Sequence, residues 1–566
     1  MYILISLFTI TIYICAMTYS RTISLRFFFF VLFLFKSIET PAQIINYKIN
    51  TANIEKHLQY LGSNELEGRG TGATGGNLAA KYLAQEFAKI GLKPAGDNDT
   101  YFQNIPMHGS RPNPDSELTV YLNNKQQTLE LGNEYILLKS GDQTYTPSPK
   151  ELVFVSYGII APEFDYNDYY DLNVEGKIVV FLEGEPESTD SDYFAGNKNT
   201  IYSYVESKQR IALSRGAAGS ILIPSLKNSY KEWESISENF LAENITLAYS
   251  VSGNLSILIS PEKVDLLLQD SGYDFDAIKT MQRENTLKSF PLKTKLSFKG
   301  SFTSRDFIAS NVAGIIEGSD EDLKDTYLII SAHYDHLGIG KPIKADSIYN
   351  GVMDNAIGTA AVLEIASLIN SMELKPKRSI LFLLTTGEEK GLLGSQYYTN
   401  RPLVPLYKTV ANLNVDGIAV FDIFKSIIGV GSELSDLQNL LQETAAEKNL
   451  GISEIPDIFI SSESFERSDQ ISFAAAGIPA MIIVEAPDYV NLNREEGFQK
   501  FIKFSENIYH TPFDDLTQNI NYYAVEQHVD LLIDIILKIC NRDEPIEWKK
   551  NSPFINARLR SIAEKR

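Results

Sequence analysis

Hydrophobic and polar positions change their spacing along this chain, and each spacing predicts a different kind of element. From Leu78 to Ile90, apolar residues recur every three or four positions, which is typical of a helix with one buried face. Gly91 follows at a position where glycine commonly ends a helix. The sequence therefore predicts that a globular region has begun by this point, and its start is placed at residue 44.

Between Ser116 and Lys299 the pattern consists of short apolar runs separated by turn residues. The clearest runs are LTVYL, ELVFVSYG, KIVVFLEG, GSILI and LAYSVS. Helical spacing is clear only at Ser207–Arg215 and Pro261–Asp270. Short apolar runs bounded by turn signals are typical of strands. Residues 116–299 are therefore predicted to form a separate β-rich module.

After Asn311, apolar strands alternate with amphipathic helices. The predicted strands are Val312–Ile316, Tyr327–Ala332, Ser379–Thr385, Val410–Val415 and Ala480–Val484. The predicted helices are Ala356–Asn370, Leu434–Lys448 and Ala524–Ile539. This alternation predicts an α/β layer sandwich with a largely parallel central sheet. Residues 542–566 are rich in charge and are predicted to form a mobile C-terminal tail.

The first 43 residues carry two apolar runs, Met1–Met17 and Phe27–Phe35, with basic residues between them. A start at Met17 would give the basic, apolar and small-residue sections of a signal peptide, with cleavage after Ala42. An uncleaved N-terminal anchor is the alternative. Both interpretations predict an exported protein, periplasmic or extracellular, that meets a membrane only through this leader.

The net charge limits the possible partners, and the cysteine content limits the possible disulfides. The chain has 51 Lys and Arg against 72 Asp and Glu, which gives a net charge of −21. Nucleic-acid binding needs a basic surface, so nucleic acid is excluded as a partner. Of the two cysteines, Cys15 lies in the leader and leaves Cys540 alone, so no disulfide is expected in the mature protein.

Five polar clusters fall at or near the ends of the predicted strands, where α/β sheets bind their ligands. They are SAHYDH at 331–336, MDNA at 353–356, TTGEE at 385–389, NLNVDG at 412–417 and YHTPFD at 509–514. Each has an ordinary structural explanation, such as a helix cap for Asp354. Together they supply imidazoles and carboxylates without a thiolate, a set that suits zinc. Their concentration in one α/β region favours a metal site.

The order of the motifs His-x-Asp, Asp-Asn-Ala-x-Gly, Gly-Glu-Glu, Asn-x-Asp and Tyr-His-Thr-Pro-x-Asp resembles the co-catalytic zinc aminopeptidases of peptidase family M28. The resemblance implies a discontinuous peptidase domain at 44–115 and 300–541, with the three-layer sandwich and mixed, largely parallel sheet of the zinc exopeptidases. The inserted module at 116–299 resembles a protease-associated domain. The segment LEGRG at 66–70 resembles the start of bacterial members.

The resemblance implies two zinc ions per chain and a ligand set for each. His333 and Asp416 would hold one ion, Glu389 and His510 the other, and Asp354 would bridge them. Two neighbouring cations need a shared carboxylate to offset their repulsion, which is consistent with this arrangement.

Further roles follow from the resemblance. Glu388 is the expected general base, and Asp335 is expected to orient His333 for metal binding. His336 is interpreted as structural, and Tyr509 and Asp514 as residues that position His510.

Two features beside the bridging aspartate complete the comparison with the family. The resemblance implies a cis peptide bond between Asp354 and Asn355. Met353 and Ile357 depart from the family pattern, since many members have a polar or small residue before the aspartate and a small residue at the second position. These departures lie beside the predicted ligands and remove none of them.

The leading interpretation is a secreted zinc exopeptidase, an aminopeptidase that acts on peptides. A dipeptidase or carboxypeptidase of the same family is the alternative, and it would need an arginine such as Arg467 or Arg401 to bind a free carboxylate. A glutaminyl cyclase with one zinc, or a catalytically inactive receptor-like relative, is less consistent with the complete ligand set.

Overall fold

The computed structural model describes residues 47–565 except 139–143, 191, 197–199, 226–232, 235, 238–242, 251–253, 456–464 and 466. The predicted leader and Cys15 lie outside the described residues. From Ile49 onward the chain forms one compact unit. Within the described residues Cys540 is a free, buried thiol.

Numbered in chain order, the strands of the described chain are β1 (Lys93–Pro94), β2 (Phe102–Pro112), β3 (Glu117–Leu122), β4 (Lys125–Leu129), β5 (Tyr135–Leu137), β6 (Tyr145–Phe154), β7 (Ile160–Ala161), β8 (Tyr166–Asn167), β9 (Ile178–Leu182), β10 (Gly219–Ile223), β11 (Asn244–Leu247), β12 (Leu255–Ile259), β13 (Phe290–Lys299), β14 (Phe302–Ile316), β15 (Tyr327–His333), β16 (Gly338–Ile343), β17 (Asp346–Tyr349), β18 (Ser379–Thr385), β19 (Thr409–Asn414), β20 (Ser426–Val430), β21 (Gly451–Ile452) and β22 (Ala480–Glu485). The α-helices of the described chain are α1 (Thr51–Leu61), α2 (Thr74–Ile90), α3 (Val205–Ser214), α4 (Val264–Leu268), α5 (Phe275–Arg283), α6 (Ile357–Ser371), α7 (Leu393–Asn400), α8 (Leu437–Glu447), α9 (Gln470–Ala475), α10 (Arg494–Asn507), α11 (Tyr522–Asn541) and α12 (Ile555–Ala563).

The main sheet has ten described strands, in the order β11-β2-β14-β18-β15-β19-β22-β20-β21 with β1 beside β14. Its four central strands, β18, β15, β19 and β22, run parallel. The strands β2 and β14 run antiparallel to their neighbours, and β20 runs antiparallel to β22 but parallel to β21. The mixed α/β sheet predicted from the sequence is confirmed, and its parallel character is concentrated at the centre.

Helices cover both faces of this sheet and complete three layers. On one face, Leu381 and Leu383 pack with Tyr398 of α7 and Phe473 of α9. On the other, Phe382 packs edge-on against Phe87 of α2. Alternate residues of a strand point to opposite faces, so β18 is buried from both sides and reads as a continuous apolar run.

The helix α6 lies within one residue of its predicted bounds and is almost wholly buried. In the described chain, Val352–Ser371 is long and apolar enough to cross a membrane, but 83% of its most apolar window is buried inside the protein. Such burial is typical of a core helix, whose apolar surface is covered by other elements of the same chain.

A second sheet occupies most of residues 117–299. Its eight described strands follow the order β4-β3-β13-β6-β9-β10-β12-β5 and have their own apolar core. One strand from this stretch behaves differently, since β11 pairs with β2 of the main sheet. The β-rich stretch is therefore joined to the main sheet by a strand as well as by its two ends.

The C-terminal segment differs from the predicted mobile tail. Trp548 is buried in the same apolar cluster as Ile329 and Phe473, and its Nε1 donates to the carbonyl of Gly477 at 2.9 Å. The helix α12 follows it. The prediction was wrong because it rested on the charged composition of the segment. A few apolar residues, including Trp548 and Phe554, pack against the core and hold the segment there.

Candidate metal centre

The parallel strands at the centre of the main sheet bring their polar ends to one edge. His333 ends β15 and lies beside Thr385, the last residue of β18. Asn414, the last residue of β19, lies beside Ser331. The loops that continue from these strands carry the other polar clusters to the same edge, as expected for an α/β sheet.

Asp354 lies at the middle of this group. Its Oδ1 is 3.2 Å from Nε2 of His333, and its Oδ2 is 3.2 Å from Nε2 of His510. Asp416 approaches the first imidazole, with its Oδ1 3.3 Å from Nε2 of His333. Glu389 approaches the second, with its Oε2 3.2 Å from Nε2 of His510. The structure thus brings together all five side chains predicted to bind metal.

The donor set fits zinc. Ligand atoms of His333, Asp354 and Glu389 all lie within 4.8 Å of one another. The Nε2 atom of His510 is buried and has no hydrogen-bond partner among the described residues, although it faces two carboxylates. Imidazole nitrogens and carboxylate oxygens in this number are ordinary zinc ligands. A buried group with more carboxylates than imidazoles also needs a cation to balance its charge.

The directions of the pKa shifts in the cluster indicate that it favours positive charge. Burial alone would lower the pKa of His333, but the neighbouring carboxylates of Glu388 and Asp416 raise that pKa well above its ordinary value. Burial alone would raise the pKa of Asp354, but the imidazoles of His333 and His510, each 3.2 Å from one of its oxygens, bring it well below its ordinary value. The carboxylates therefore hold the imidazoles in a site where a cation is stabilised.

The two adjacent glutamates have opposite environments. Burial raises the pKa of Glu388 well above its ordinary value, and Glu389 and Asp416 raise it further. Burial acts the same way on Glu389, but His510 and His336 outweigh it and lower the pKa of that carboxyl to about 2. Two neighbouring carboxyl groups whose pKa values are driven apart can take separate roles as charged ligand and proton carrier.

Asp335 acts on the loop that carries these glutamates. Its carboxylate accepts hydrogen bonds from Thr71 Oγ1 at 2.9 Å and from the backbone N–H of Glu388 at 3.1 Å. Nδ1 of His333 lies 3.1 Å from the backbone carbonyl of Asp335 and 3.9 Å from its carboxylate. The group nearest His333 is therefore the main chain of Asp335, while the side chain fixes the position of Glu388.

Tyr509 and Asp514 act on different partners. The ring of Tyr509 stacks on that of His510, with centroids 3.8 Å apart and planes at 19°. Asp514 instead accepts hydrogen bonds from the backbone N–H groups of Met353, at 2.8 Å, and Asp354, at 3.0 Å. Tyr509 thus positions His510 as predicted, whereas Asp514 positions Asp354 rather than His510, its expected partner. The peptide bond between Asp354 and Asn355 is cis, as the resemblance implies.

His336 lies behind the cluster. It is fully buried, and its Nδ1 is 2.6 Å from Oε1 of Glu389 and 3.8 Å from Oδ2 of Asp354. The imidazole contacts the Glu389 oxygen that does not face His510, so it orients that carboxylate. This contact agrees with the structural role predicted from the sequence.

Arg69 is a residue whose part in the site the sequence pattern did not reveal. It is fully buried, and its guanidinium donates to four backbone carbonyls, those of Leu61, Tyr334, Asn350 and Gly351, at 2.5–2.8 Å. Burial lowers the pKa of Arg69 to about 10. Tyr334 follows His333 and Gly351 lies three residues before Asp354, so one side chain holds both segments together. The LEGRG motif was the available signal, but its spacing indicated no partner.

Comparison with known proteins shows which family the region around this centre resembles. Residues 311–536 match the model of Peptidase family M28. Leupeptin-inactivating enzyme 1 of Streptomyces exfoliatus is 28% identical over 234 residues, which cover 41% of this chain and 48% of that protein. Aminopeptidase NAALADL1 of Mus musculus is 39% identical over 118 residues, which cover 20% of this chain and 14% of that protein. The chain thus spans less than half the length of either curated relative.

Among solved structures, the aminopeptidase from Aneurinibacillus sp. strain AM-1 aligns with a TM-score of 0.51 and 19% identity over 88% of this chain and 97% of that one. At this identity the likeness establishes the shared fold. The α/β fold, the match at 311–536 and the imidazole–carboxylate cluster within that range agree with one another. Residues 311–536 of the chain thus match peptidase family M28, a family of hydrolases, and the fold and the cluster are consistent with that match.

Proposed function

We propose that this protein is a two-zinc aminopeptidase that removes N-terminal residues from peptides. The observation that carries the proposal is the position of Asp354, whose two carboxylate oxygens each face a separate imidazole. His333 with Asp416 would hold one ion, His510 with Glu389 the other, and Asp354 would bind both. A single metal ion would not require the two oxygens of one carboxylate to face separate imidazoles.

In this proposal the chain's own residues divide the work of hydrolysis. Two bound zinc ions would supply Lewis acidity that activates a water molecule and polarises the scissile carbonyl. The Glu388 carboxylate accepts the proton of the attacking water and delivers it to the amine nitrogen that leaves. Asp335 keeps Glu388 in place through the backbone N–H of that residue. Arg69 and Asp514 hold the backbone on which Asp354 is presented.

The names of the relatives support aminopeptidase polarity, since two of the proteins compared above are described as aminopeptidases. The decisive experiment uses reporter substrates with a free and with a blocked N-terminus on the zinc-loaded protein. We expect cleavage of aminoacyl reporters and none of their N-acetylated counterparts. Cleavage of both kinds at similar rates would contradict an exopeptidase that recognises the free amine.

A second candidate, a dipeptidase or carboxypeptidase, is favoured by one specific observation. Arg467 lines the cleft that also contains Glu388 and His510, and a guanidinium there would suit a substrate carboxylate. The guanidinium of Arg401 instead lies 5.8 Å from the ring centre of Tyr397. Peptides whose C-terminal carboxylate is free or amidated separate the two activities, because only a carboxypeptidase or dipeptidase requires the free acid.

We also propose that residues 116–299 are an inserted domain of the protease-associated type and that the protein is exported. The separate eight-stranded sheet supports the first statement. The apolar leader at residues 1–43, outside the described residues, supports the second. Fractionation of cells that express the full chain tests export, and N-terminal sequencing of the product tests cleavage after Ala42.

A further inference from the structure

The main sheet ends at a strand that faces the same cleft as the candidate metal centre. Among the described residues β11 pairs with β2 alone, so its second edge is not used by another described strand. All four residues of β11, Asn244–Leu247, line the cleft that Glu388, Glu389 and His510 also line. The edge of the sheet and the site of the proposed chemistry therefore open into one space.

The set of residues that line the cleft indicates that the strand presents its edge to this space. Alternate side chains of a strand point to opposite faces, so a cleft against one face would be lined by every second residue. Here four consecutive residues line it, although Ile245 and Leu247 are buried against α7 residues Leu393 and Tyr397. Continuous lining by a strand with one buried face is what an accessible edge, with its backbone N–H and C=O groups, produces.

The edge is also held rigidly. Glu243, the residue before β11, receives two hydrogen bonds from the guanidinium of Arg305 on β14, at 2.6 and 2.7 Å. Asn244 donates through its Nδ2 to the carbonyl of Leu138 at 3.0 Å. Beyond the strand, the ring of Tyr249 packs against that of Tyr397. A strand anchored at both ends can accept a partner strand with little loss of conformational freedom.

The size of the cleft suits an extended chain. Its volume is about 1720 Å³, above the roughly 300–1,000 Å³ typical of pockets for small molecules. The four residues of β11 span about 13 Å at the usual rise of a strand. The space is therefore sufficient for several residues of a peptide beyond the single residue that an aminopeptidase removes.

We infer that β11 is a substrate-binding subsite, which pairs with the main chain of the peptide on the C-terminal side of the scissile bond through the edge that no other described strand occupies. This inference rests on the proposed function and makes the substrate class extended peptides of several residues. Because the contact uses main-chain groups, recognition depends on an extended, unmodified backbone more than on side-chain identity.

The test uses the zinc-loaded full chain and peptides that share one N-terminal residue and increase in length from an aminoacyl anilide through a dipeptide to a heptapeptide. We expect kcat/KM to rise beyond the dipeptide and then level off where the peptide outgrows β11. Single N-methylation of the peptide backbone should lower kcat/KM by about three- to tenfold at alternate residues only, because alternate N–H groups of a paired strand point to one neighbour. A flat length profile, or a penalty without alternation, would overturn the subsite.

A binding measurement separates this inference from the proposed activity. The same N-methylated heptapeptides, with the first amide replaced by an uncleavable CH₂–NH group, are titrated by calorimetry. Alternating losses in affinity support the β11 subsite even if no peptide is hydrolysed, in which case only the proposed function fails. If the anilide is cleaved but all N-methylated peptides bind with the same affinity, the proposed activity is supported and the β11 subsite is contradicted.

A variant of the strand gives the matching test from the side of the protein. Thr246 projects from the face of β11 opposite the buried Ile245 and Leu247, so Thr246→Trp adds bulk at the cleft. It should abolish the gain with peptide length and leave anilide cleavage within about twofold. Ile308→Trp is the control, since Ile308 lies on β14 of the same sheet, is 52% exposed and does not line the cleft. Equal effects of the two variants would contradict the assignment.

Discussion

At the scale of single residues, Glu388 and Glu389 show how adjacent carboxyl groups acquire different surroundings. Both oxygens of Glu389 are close to imidazoles, Oε1 at 2.6 Å from His336 and Oε2 at 3.2 Å from His510. Glu388 is instead fixed through its backbone N–H, which donates to Asp335. Its side chain is therefore available to exchange a proton. Burial raises the pKa of this carboxyl group, which favours that exchange.

Glu388→Gln therefore tests the division of roles. We expect turnover of an aminoacyl reporter to fall by a factor of about 10²–10⁴, the usual contribution of a general base. Zinc content, measured by elemental analysis, should stay unchanged because the side chain is not one of the five proposed ligands. Glu564→Gln, an exposed glutamate that lines the same cleft, is the matched control and should keep full activity. Loss of zinc in the Glu388 variant would disprove its assignment as base.

Asp514 provides a prediction about how the backbone of Asp354, the proposed bridging ligand, is supported. Its two oxygens each accept a backbone N–H, from Met353 and Asp354. In Asp514→Asn one acceptor becomes an NH₂ group that faces an N–H donor, so the backbone around Asp354 must move. We expect zinc affinity to fall by about 10- to 100-fold, as for other groups that support metal ligands. Competition with a chelator measures this affinity.

The neighbouring Asp515→Asn serves as the control for that experiment. Asp515 accepts hydrogen bonds from the backbone N–H and the hydroxyl of Thr517, and neither donor belongs to a proposed metal ligand. Its variant should bind zinc as the unmodified protein does. Equal affinities in the two variants would mean that Asp514 does not support the centre.

These residues also show what a sequence can reveal about a site. The five proposed ligands were identifiable because each lies in a motif of recognisable order. The supporting contacts were not, since Asp514 acts across 161 residues on Met353 and Arg69 across 265 on Tyr334. Only the folded chain fixes such pairs, so Asp514 was assigned to the wrong partner and Arg69 to none.

At the scale of elements, burial decided which predictions succeeded. The strand β18 has its predicted bounds because all seven of its residues are buried and apolar runs mark such strands clearly. The helix α10 was missed although Asn493 and Glu496 form a capping box at its start. The run LAYSVS was expected to be a strand, yet β11 ends at its first residue and a turn follows. Exposed or short elements lack the periodic burial on which such predictions depend.

The helix α3 carries a buried lysine that makes a prediction about pH. Lys208 is fully buried, and its Nζ donates to the carbonyl of Leu182 at 2.9 Å and to that of Gly184. Burial lowers the pKa of Lys208 to about 7, and Asp168 offsets this only in part. The folded state thus releases this proton more readily than the unfolded state. The free energy of unfolding should therefore rise as pH increases from about 7 towards 10.5, the ordinary pKa of lysine.

Lys208→Met should remove this dependence. Urea unfolding at pH 7, 8, 9 and 10 is followed by the fluorescence of Trp233, which is buried beside the same sheet, in a Trp548→Phe background. The free energy of unfolding should change less with pH in the variant than in its parent. Lys279→Met, at an exposed position of α5, should retain the slope of the parent. Identical slopes for Lys208→Met and its parent would show that Lys208 does not titrate in this range.

At the scale of the whole molecule, the cleft is built by parts of the chain that are far apart in sequence. The β-rich stretch contributes Phe164 and Tyr202, and the C-terminal segment contributes Phe554 and Arg560, beyond the residues matched by the family model. Two regions outside the matched α/β core therefore border the candidate active site. Differences in substrate choice among relatives can arise in these walls while the metal-ligating residues stay the same.

The candidate centre links the same distant segments, which gives a last prediction about metal removal. Its five proposed ligands lie at the end of β15, before α6, after β18, after β19 and before α11. A ligand that binds only the folded state stabilises it by about 2.7 kcal/mol at one hundred times its Kd. Chelation should therefore lower Tm by roughly 2–4 °C, because the unfolding entropy grows with the number of residues and the unit from Ile49 onward is large, and added zinc should restore it. His333→Ala should largely abolish this response, whereas Glu388→Gln should keep it. If neither chelator nor zinc changed the Tm, the carboxylates around Asp354 would not depend on a metal for their charge balance.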